Sequence, residues 1–135
     1  MNADIRENDK SVLGKYGEGI AAEFLEGKGF EILARNFRCR AGEIDIIAKD
    51  GGILSFTEVK LRKNAEFGNA CEFVTSKKQQ KIIRAAEYYL FNQQRELARM
   101  FECEPQPRFD IVEVYLPDGI GKKAYVRLIE DAFSV

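Results

Sequence analysis

The chain of 135 residues contains no histidine. This absence excludes Ser-His and Cys-His nucleophilic systems, histidine general bases and histidine metal ligands, so any such chemistry must rest on carboxylates and lysines. The three cysteines, Cys39, Cys71 and Cys103, are far apart and odd in number. They form neither a zinc-like pair nor a disulfide framework. This pattern indicates a reducing, cytoplasmic location.

No stretch approaches the ~18 uninterrupted apolar residues of a membrane span, so we expect no membrane partner. The polar N-terminus lacks the apolar segment of a secretory signal. With 45% hydrophobic and 32% charged residues, the composition is typical of a globular protein. The length fits one domain. We expect residues 1–9 to form a flexible tail and residues 10–135 to form a single domain.

Apolar residues at helical spacing predict a first helix from about Lys10 to Lys28. Three strands follow, "FEILARNFR", "EIDIIA" and "ILSFTEVKLR", and "KDGG" predicts a four-residue turn between the last two. A second helix is predicted to begin at a cap on Thr75 or Ser76 and to run to about Arg99. The strands "FDIVEVYL" and "AYVRLIE" close the chain. This order predicts a mixed α/β domain with a central sheet.

The second and third strands carry many charges for a hairpin in a core, namely Glu43, Asp45, Glu58, Lys60 and Arg62. Side chains alternate between the two faces of a strand. With the four-residue turn, Asp45 lies opposite Phe56 and diagonally next to Glu58, with Cβ atoms roughly 7 Å apart. Two carboxylates at this spacing can reach one cation, with the Val59 carbonyl as a further oxygen ligand. Mg²⁺ and Mn²⁺ prefer such oxygen ligands.

The spacing leaves simpler interpretations open. The hairpin charges also fit a solvated face on which Glu43, Glu58, Lys60 and Arg62 form cross-strand ion pairs, because E-x-K motifs are frequent by chance. On the first helix, Glu18 has small and apolar neighbours such as Gly14 and Ala22. They favour close packing of Glu18 against another element, but the edge of an apolar stripe fits equally well.

Positive charge brackets the hairpin although the whole chain has a net charge of −1. Residues 28–40 hold four basic and one acidic residue, and residues 59–84 hold seven basic and two acidic residues. The second helix contributes a basic stripe of Lys77, Lys78, Lys81 and Arg84. Such a stripe is typical of a phosphate-binding surface and equally of a solvated helix face.

Several motifs in order resemble the bacterial YraN-like family of uncharacterised proteins, over about residues 14–114. They are "YGEGIAAEFL", "AGEIDIIAKD", "FTEVKLR", "TSKKQQKII" and "RFDIVEV". That family is similar to the PD-(D/E)xK nuclease superfamily and, within it, to archaeal Holliday-junction resolvases. The resemblance implies a restriction-endonuclease-like αβββαβ core. It also implies a Mg²⁺- or Mn²⁺-dependent endonuclease acting on DNA, either branched or single-stranded.

The resemblance also implies the residues of the site. Asp45 and Glu58 would be metal ligands, and Glu18 would be a further or water-mediated ligand. Lys60 would orient a water molecule or stabilise charge on the phosphate. Nucleic-acid contacts are expected from Arg62, Lys77, Lys78 and Lys81.

Some roles stay open at this point. A polar residue of the second helix would assist the site, and Lys77 or Lys78 is favoured over Gln79. Glu43 either supports the site or pairs with Arg62. The resemblance to resolvases allows a homodimer, since two resolvase sites cut opposing strands. Two alternatives to an active nuclease are a nucleic-acid-binding module with little turnover and a protein-interaction adaptor on the same fold.

Overall fold

The computed structural model describes residues 10–62 and 74–135. The expected tail at residues 1–9 and nearly all of the expected loop at residues 63–74 lie outside the described residues. The elements in chain order are α1 (Lys10–Gly27), β1 (Glu31–Cys39), β2 (Gly42–Asp50), β3 (Ile53–Arg62), α2 (Ser76–Asn92), α3 (Gln94–Met100), β4 (Gln106–Tyr115) and β5 (Tyr125–Phe133). This order and a mixed central sheet flanked by helices confirm the predicted fold class, which is consistent with an endonuclease-like core. None of these helices is long and apolar enough to cross a membrane.

The five strands lie in the sheet in chain order, from β1 to β5. Three neighbouring pairs are antiparallel, and only β3 and β4 run parallel. A parallel pair needs a crossover connection, which the chain segment containing α2 and α3 provides. As a result, the carboxyl ends of β3 and β4 and the amino end of β2 lie at the same end of the sheet.

Each face of the sheet is covered by a different helix layer. Ile46 and Val112 face α1, whereas Phe56 and Phe109 face α2. The contact with α1 is so close that a Cβ added to Gly17 would collide with the Leu61 side chain. The protein therefore has two apolar cores with the sheet between them.

An aromatic row crosses the face of the sheet that packs against α2. The Tyr89 ring of α2 meets Phe56 edge-on, with ring centroids 6.1 Å apart. Phe56 stacks on Phe109 at 5.7 Å, and Phe109 stacks on Phe133 at 5.2 Å. Such pairs add to the stabilisation from burial alone. The row connects α2 to three strands of the sheet.

The turn between β2 and β3 is shorter than expected. Asp50 pairs with Ile53, so the turn consists of Gly51 and Gly52 only. Gly51 has φ +61°, which suits the first central position of a type II′ hairpin turn. The expected register was therefore wrong by two positions. A shift of two leaves each side chain on its expected face.

The second predicted helix is divided. Thr75 is its N-cap, which is one of the two residues expected there. Thr75 Oγ1 accepts a hydrogen bond from Lys78 N at 3.2 Å. The expectation of one helix to about Arg99 was wrong, because α2 ends before Gln93 and α3 begins after it. Gln93 has ψ 18°, outside the regular helical range. No proline or glycine marks this break in the sequence.

The aromatic row yields a prediction about stability. Phe56 is fully buried at the centre of the row. We expect Phe56→Ala to lower the free energy of unfolding by about 3–5 kcal/mol, because it removes buried area and leaves a cavity. Urea unfolding followed by circular dichroism measures this. The matched control is Phe91→Ala, whose ring is 73% exposed. Equal losses in both variants would contradict the described core.

Candidate functional site

Strands β2 and β3 separate at one end of their hairpin. Their ladder ends where Ile46 pairs with Thr57, although both strands continue. Beyond this point, Asp45 Oδ2 accepts a hydrogen bond from Val59 N at 2.8 Å. A side chain thus replaces the missing strand partner. The N–H and C=O groups of one strand residue point to the same side, so the Val59 carbonyl faces the same gap.

Asp45 and Glu58 face each other at this gap. The observed register, continued by one position, puts them directly opposite rather than diagonal. Burial, together with the negative charge of Glu58, raises the pKa of Asp45 from 3.8 to about 8, although the hydrogen bond from Val59 N lowers it. Glu58 itself is only 5% exposed. The carboxyl group of Asp45 therefore retains its proton at neutral pH.

Both helix layers bring charged groups to this pair. The charge of Glu18 on α1 also raises the pKa of Asp45, so this carboxylate lies within electrostatic reach. From α2, Lys78 Nζ lies 2.5 Å from Glu58 Oε2. Burial lowers the pKa of Lys78, but the hydrogen bond and charge of Glu58 outweigh it, so the pKa lies above 10.5. The structure thus brings Asp45, Glu58 and Lys78 together, with Glu18 within electrostatic reach of Asp45.

The start of α2 decides between the three polar residues considered there. Lys78 contacts the site directly through Glu58. Gln79 turns away, because its Nε2 donates a hydrogen bond to Val74 O at 2.9 Å. Lys77 and Lys81 line a neighbouring cleft of about 380 Å³ that also includes Gly42 and Lys78. Of the favoured pair, Lys78 is therefore the residue at the carboxylates.

The far end of β3 is fixed by a buried carboxylate that the sequence analysis missed. Glu113 on β4 is fully buried and accepts hydrogen bonds from Arg62 NH1 at 2.9 Å and Arg127 Nε at 2.8 Å. Arg62 is held with its side chain 8% exposed, so its expected contact with nucleic acid stays a prediction that conflicts with this burial. Side chains alternate along β3, so Lys60 projects to the same face as Glu58 and Arg62. On the neighbouring strand, Lys60 pairs in register with Glu113.

A sequence signal for Glu113 did exist. It is a lone acidic residue within the apolar run "IVEVY". A charge buried in a strand needs partners, because an unpaired one is strongly destabilising. The partners themselves, Arg62 and Arg127, come from strands on either side of β4 and were not predictable without the strand order.

Glu43 lies outside the buried pair. It forms an exposed ion pair with Arg38 at 3.2 Å. The two residues pair in the register of β1 and β2, which explains the contact. The suggested ion pair of Glu43 with Arg62 is therefore wrong, since Arg62 binds Glu113 instead.

The "RFD" motif has a structural role. Phe109 belongs to the aromatic row, whereas Asp110 is fully buried on the opposite face. Ser55 Oγ donates to Asp110 Oδ2 at 2.5 Å, and Arg108 Nε donates to Oδ1 at 2.8 Å. These bonds satisfy the buried carboxylate and fix β3 against β4.

The side chains alone do not complete a metal site. Within residues 10–62 and 74–135, no three aspartate, glutamate or cysteine side chains lie close enough together to hold a metal ion. Two carboxylates, the Val59 carbonyl and water are the available oxygen ligands. The metal-ligand roles of Asp45, Glu58 and Glu18 stay predictions.

The raised pKa of Asp45 predicts a pH-dependent effect of Asp45→Asn. The folded state retains a proton that the unfolded state releases near pH 4, so folded-state stability falls between about pH 4 and pH 8. Asparagine removes this loss and can still accept the bond from Val59 N. We expect Asp45→Asn to raise the free energy of unfolding by on the order of 1–3 kcal/mol at pH 9, since each pKa unit corresponds to ~1.4 kcal/mol.

The measurement is urea unfolding with EDTA at pH 4 and pH 9. Near pH 4 the variant and the wild type should converge, because both folded proteins are then neutral at this position. The control is Asp118→Asn in the exposed loop before β5, which should change stability at neither pH. A lower stability of Asp45→Asn at pH 9 would contradict the described pair.

Known proteins are similar to this chain over most of its length. Residues 17–114 match Uncharacterised protein family UPF0102. A UPF0102 protein of Symbiobacterium thermophilum is 47% identical over 122 residues, which cover 90% of this chain and 95% of the relative. One from Caldicellulosiruptor saccharolyticus is 45% identical over 125 residues, covering 93% and 99%. The resemblance to the YraN-like family is confirmed: this chain belongs to the uncharacterised protein family UPF0102.

Proposed function

We propose that this UPF0102 protein is a metal-dependent phosphodiesterase that cleaves DNA. The observation that carries the proposal is the Asp45–Glu58 pair at the open end of the hairpin, in which the pKa of Asp45 is raised to about 8. Ionisation of the half-buried Asp45 beside the buried Glu58 is unfavourable, and groups with such shifted pKa values concentrate at functional sites. A divalent cation would allow both carboxyl groups to ionise.

The donor set fits Mg²⁺ or Mn²⁺. All the available ligand atoms are oxygens, which these ions prefer. Val59 N binds one oxygen of Asp45, and Lys78 Nζ binds one oxygen of Glu58. The other oxygen of each carboxyl group, with the Val59 carbonyl, makes a partial ligand set. A partial set is sufficient, since Mg²⁺ usually keeps several waters, and one of them can connect the ion to Glu18.

A bound ion would supply a water of lowered pKa and would neutralise negative charge on the phosphate. The residues of the chain position the reactants. Asp45 and Glu58 would bind the ion at the gap where the β2–β3 ladder ends. Lys60 follows Glu58 on the same face, so its ammonium group can orient the water or stabilise the charged phosphate. Lys78 balances the charge of Glu58 before the ion binds.

Removing one ligand tests this proposal. We expect the purified protein to cleave DNA only with Mg²⁺ or Mn²⁺, and Asp45→Asn to lower the rate at least about a hundredfold, because one charged ligand is lost. The assay presents labelled single-stranded, duplex, flap and four-way-junction DNA, with EDTA as the metal-free control. Asp118→Asn serves as the matched substitution on the surface.

The Asp45→Asn assay separates the proposal from contamination. Cleavage that persists unchanged in Asp45→Asn shows that the activity lies elsewhere or in another protein. Calorimetric titration with Mn²⁺ gives a second readout that does not depend on turnover. We expect binding by the wild type and a large loss of affinity in Asp45→Asn.

Lys60 is expected to contribute to the cleavage step and not to metal binding. We expect Lys60→Met to lower the cleavage rate by about 10²–10³-fold, as for other charge-stabilising groups, while Mn²⁺ affinity is retained. Lys122→Met, an exposed lysine between β4 and β5, should keep the wild-type rate. A normal rate in Lys60→Met would remove Lys60 from the proposed mechanism.

A second candidate function is a nucleic-acid-binding module with little or no turnover. It is favoured by the 2.5 Å ion pair between Lys78 and Glu58, which occupies a carboxylate that catalysis would need. For this candidate, the same assay would give tight, structure-selective binding without cleavage under any metal condition.

A further inference from the structure

An exposed stripe runs along the outer face of α2. Its members repeat every three or four residues and therefore lie on one side of the helix. We call them the α2 stripe: Lys77, Lys81, Arg84, Tyr88 and Phe91. All five are exposed, and the two aromatic side chains are 52% and 73% accessible. The buried residues of the same helix, such as Ile83 and Tyr89, face the sheet.

Among the residues that the structure describes, the cations of the stripe have no ion-pair partner. Across residues 10–62 and 74–135, Lys77, Lys81 and Arg84 take part in no ion pair, whereas Lys78 does. This is notable in a chain with a net charge of −1. Three neighbouring cations without ion pairs in the described residues attract a polyanion. Phosphate groups can then bind at several positions along the helix.

The aromatic members stand at the other end of the stripe. Tyr88 contacts Phe37 of β1, with centroids 6.3 Å apart and planes at 39°, so one part of its ring is supported and the rest is open. Phe91 is the most exposed aromatic residue of the helix at 73%. Exposed rings beside uncompensated cations are the combination that binds single strands, since every base has a face that stacks on an aromatic ring.

The stripe begins at the proposed site. Lys77 is next to Lys78, whose ammonium contacts Glu58. Gly42 lets the β1–β2 hairpin come close here, because a Cβ at Gly42 would lie 3.2 Å from Lys81 Cβ. From Lys77 to Phe91 the helix rises about 21 Å. The stripe can therefore guide several nucleotides of an extended strand away from the carboxylates.

We infer that the α2 stripe binds single-stranded DNA and that the substrate carries a single-stranded arm leading to the site. This substrate class rests on the proposed function, but binding to the stripe does not require cleavage. Phosphates of the strand would lie along Lys77, Lys81 and Arg84, and bases would stack on Tyr88 and Phe91. A duplex buries its base faces within its own stack, so it could use only the cations.

The first test separates stacking from charge. Fluorescence anisotropy in EDTA, without turnover, compares a short labelled oligothymidine with a duplex of the same length. We expect tighter binding of the single strand. Tyr88→Ala/Phe91→Ala should weaken it about tenfold or more and leave duplex binding and the salt dependence unchanged. Tyr125→Ala, which removes an aromatic side chain 43% exposed on β5, is the matched control.

The second test concerns the cations. Replacing Lys77, Lys81 and Arg84 by alanine should reduce the slope of log K against log salt by about 2, since each single-strand phosphate contact contributes about 0.7. Replacing Lys122 and Lys123 should leave the slope unchanged. Circular dichroism confirms folding, because alanine favours a helix at all five positions of the stripe.

Three results would overturn the inference. They are equal affinity for single strand and duplex, unchanged single-strand binding in Tyr88→Ala/Phe91→Ala, and loss of a dimer in that variant without loss of DNA binding. The last result would identify the stripe as an interface between copies. Because binding is measured in EDTA without turnover, a wild type that binds single strands but does not cleave DNA would contradict the proposed phosphodiesterase and leave this inference intact. Cleavage that is lost in Asp45→Asn but unchanged in the stripe variants, without single-strand binding by the stripe, would support the phosphodiesterase and contradict this inference.

Discussion

The hydrogen bond from Val59 N to Asp45 Oδ2 defines the geometry of the candidate site. Where β2 and β3 separate, an unpaired backbone N–H would be destabilising, and the carboxylate supplies its acceptor. The same bond holds Asp45 opposite Glu58 where the β2–β3 ladder has ended. The backbone of β3 is thus both a structural support and part of the proposed site.

The surrounding network distributes charge around this gap. Lys78 from α2 pairs with Glu58, while Arg62 and Arg127 enclose Glu113 on the neighbouring strand. In the described part of the chain, the buried carboxylates Glu58, Asp110 and Glu113 each have a positive partner, whereas the half-buried Asp45 has a raised pKa instead. An uncompensated position of this kind is where a cation gains most from binding, because it restores the charge balance that the protein lacks.

The parts of this picture that were predictable are those that depend on local sequence. The strand "ILSFTEVKLR" has the expected bounds, and Thr75 caps α2, since hydrophobic pattern and capping chemistry are local. The two-residue turn was missed because "KDGG" fits more than one turn length. The choice of Lys78 over Lys77 depends on how α2 is rotated against the sheet, and the partners of Glu113 depend on strand order. Neither is encoded by spacing along one segment.

The parallel pairing of β3 with β4 has a consequence for how the protein folds. It joins residues 53 positions apart, such as Ile53 and Gln106, whereas Asp45 and Val59 are 14 apart. Contacts between nearby residues close smaller loops and form more readily. The β2–β3 hairpin can therefore bring Asp45 and Glu58 together while water still screens their charges. The pKa of Asp45 rises only when β4 and the helices arrive and exclude that water, because the cost of holding two charges side by side is then at its greatest.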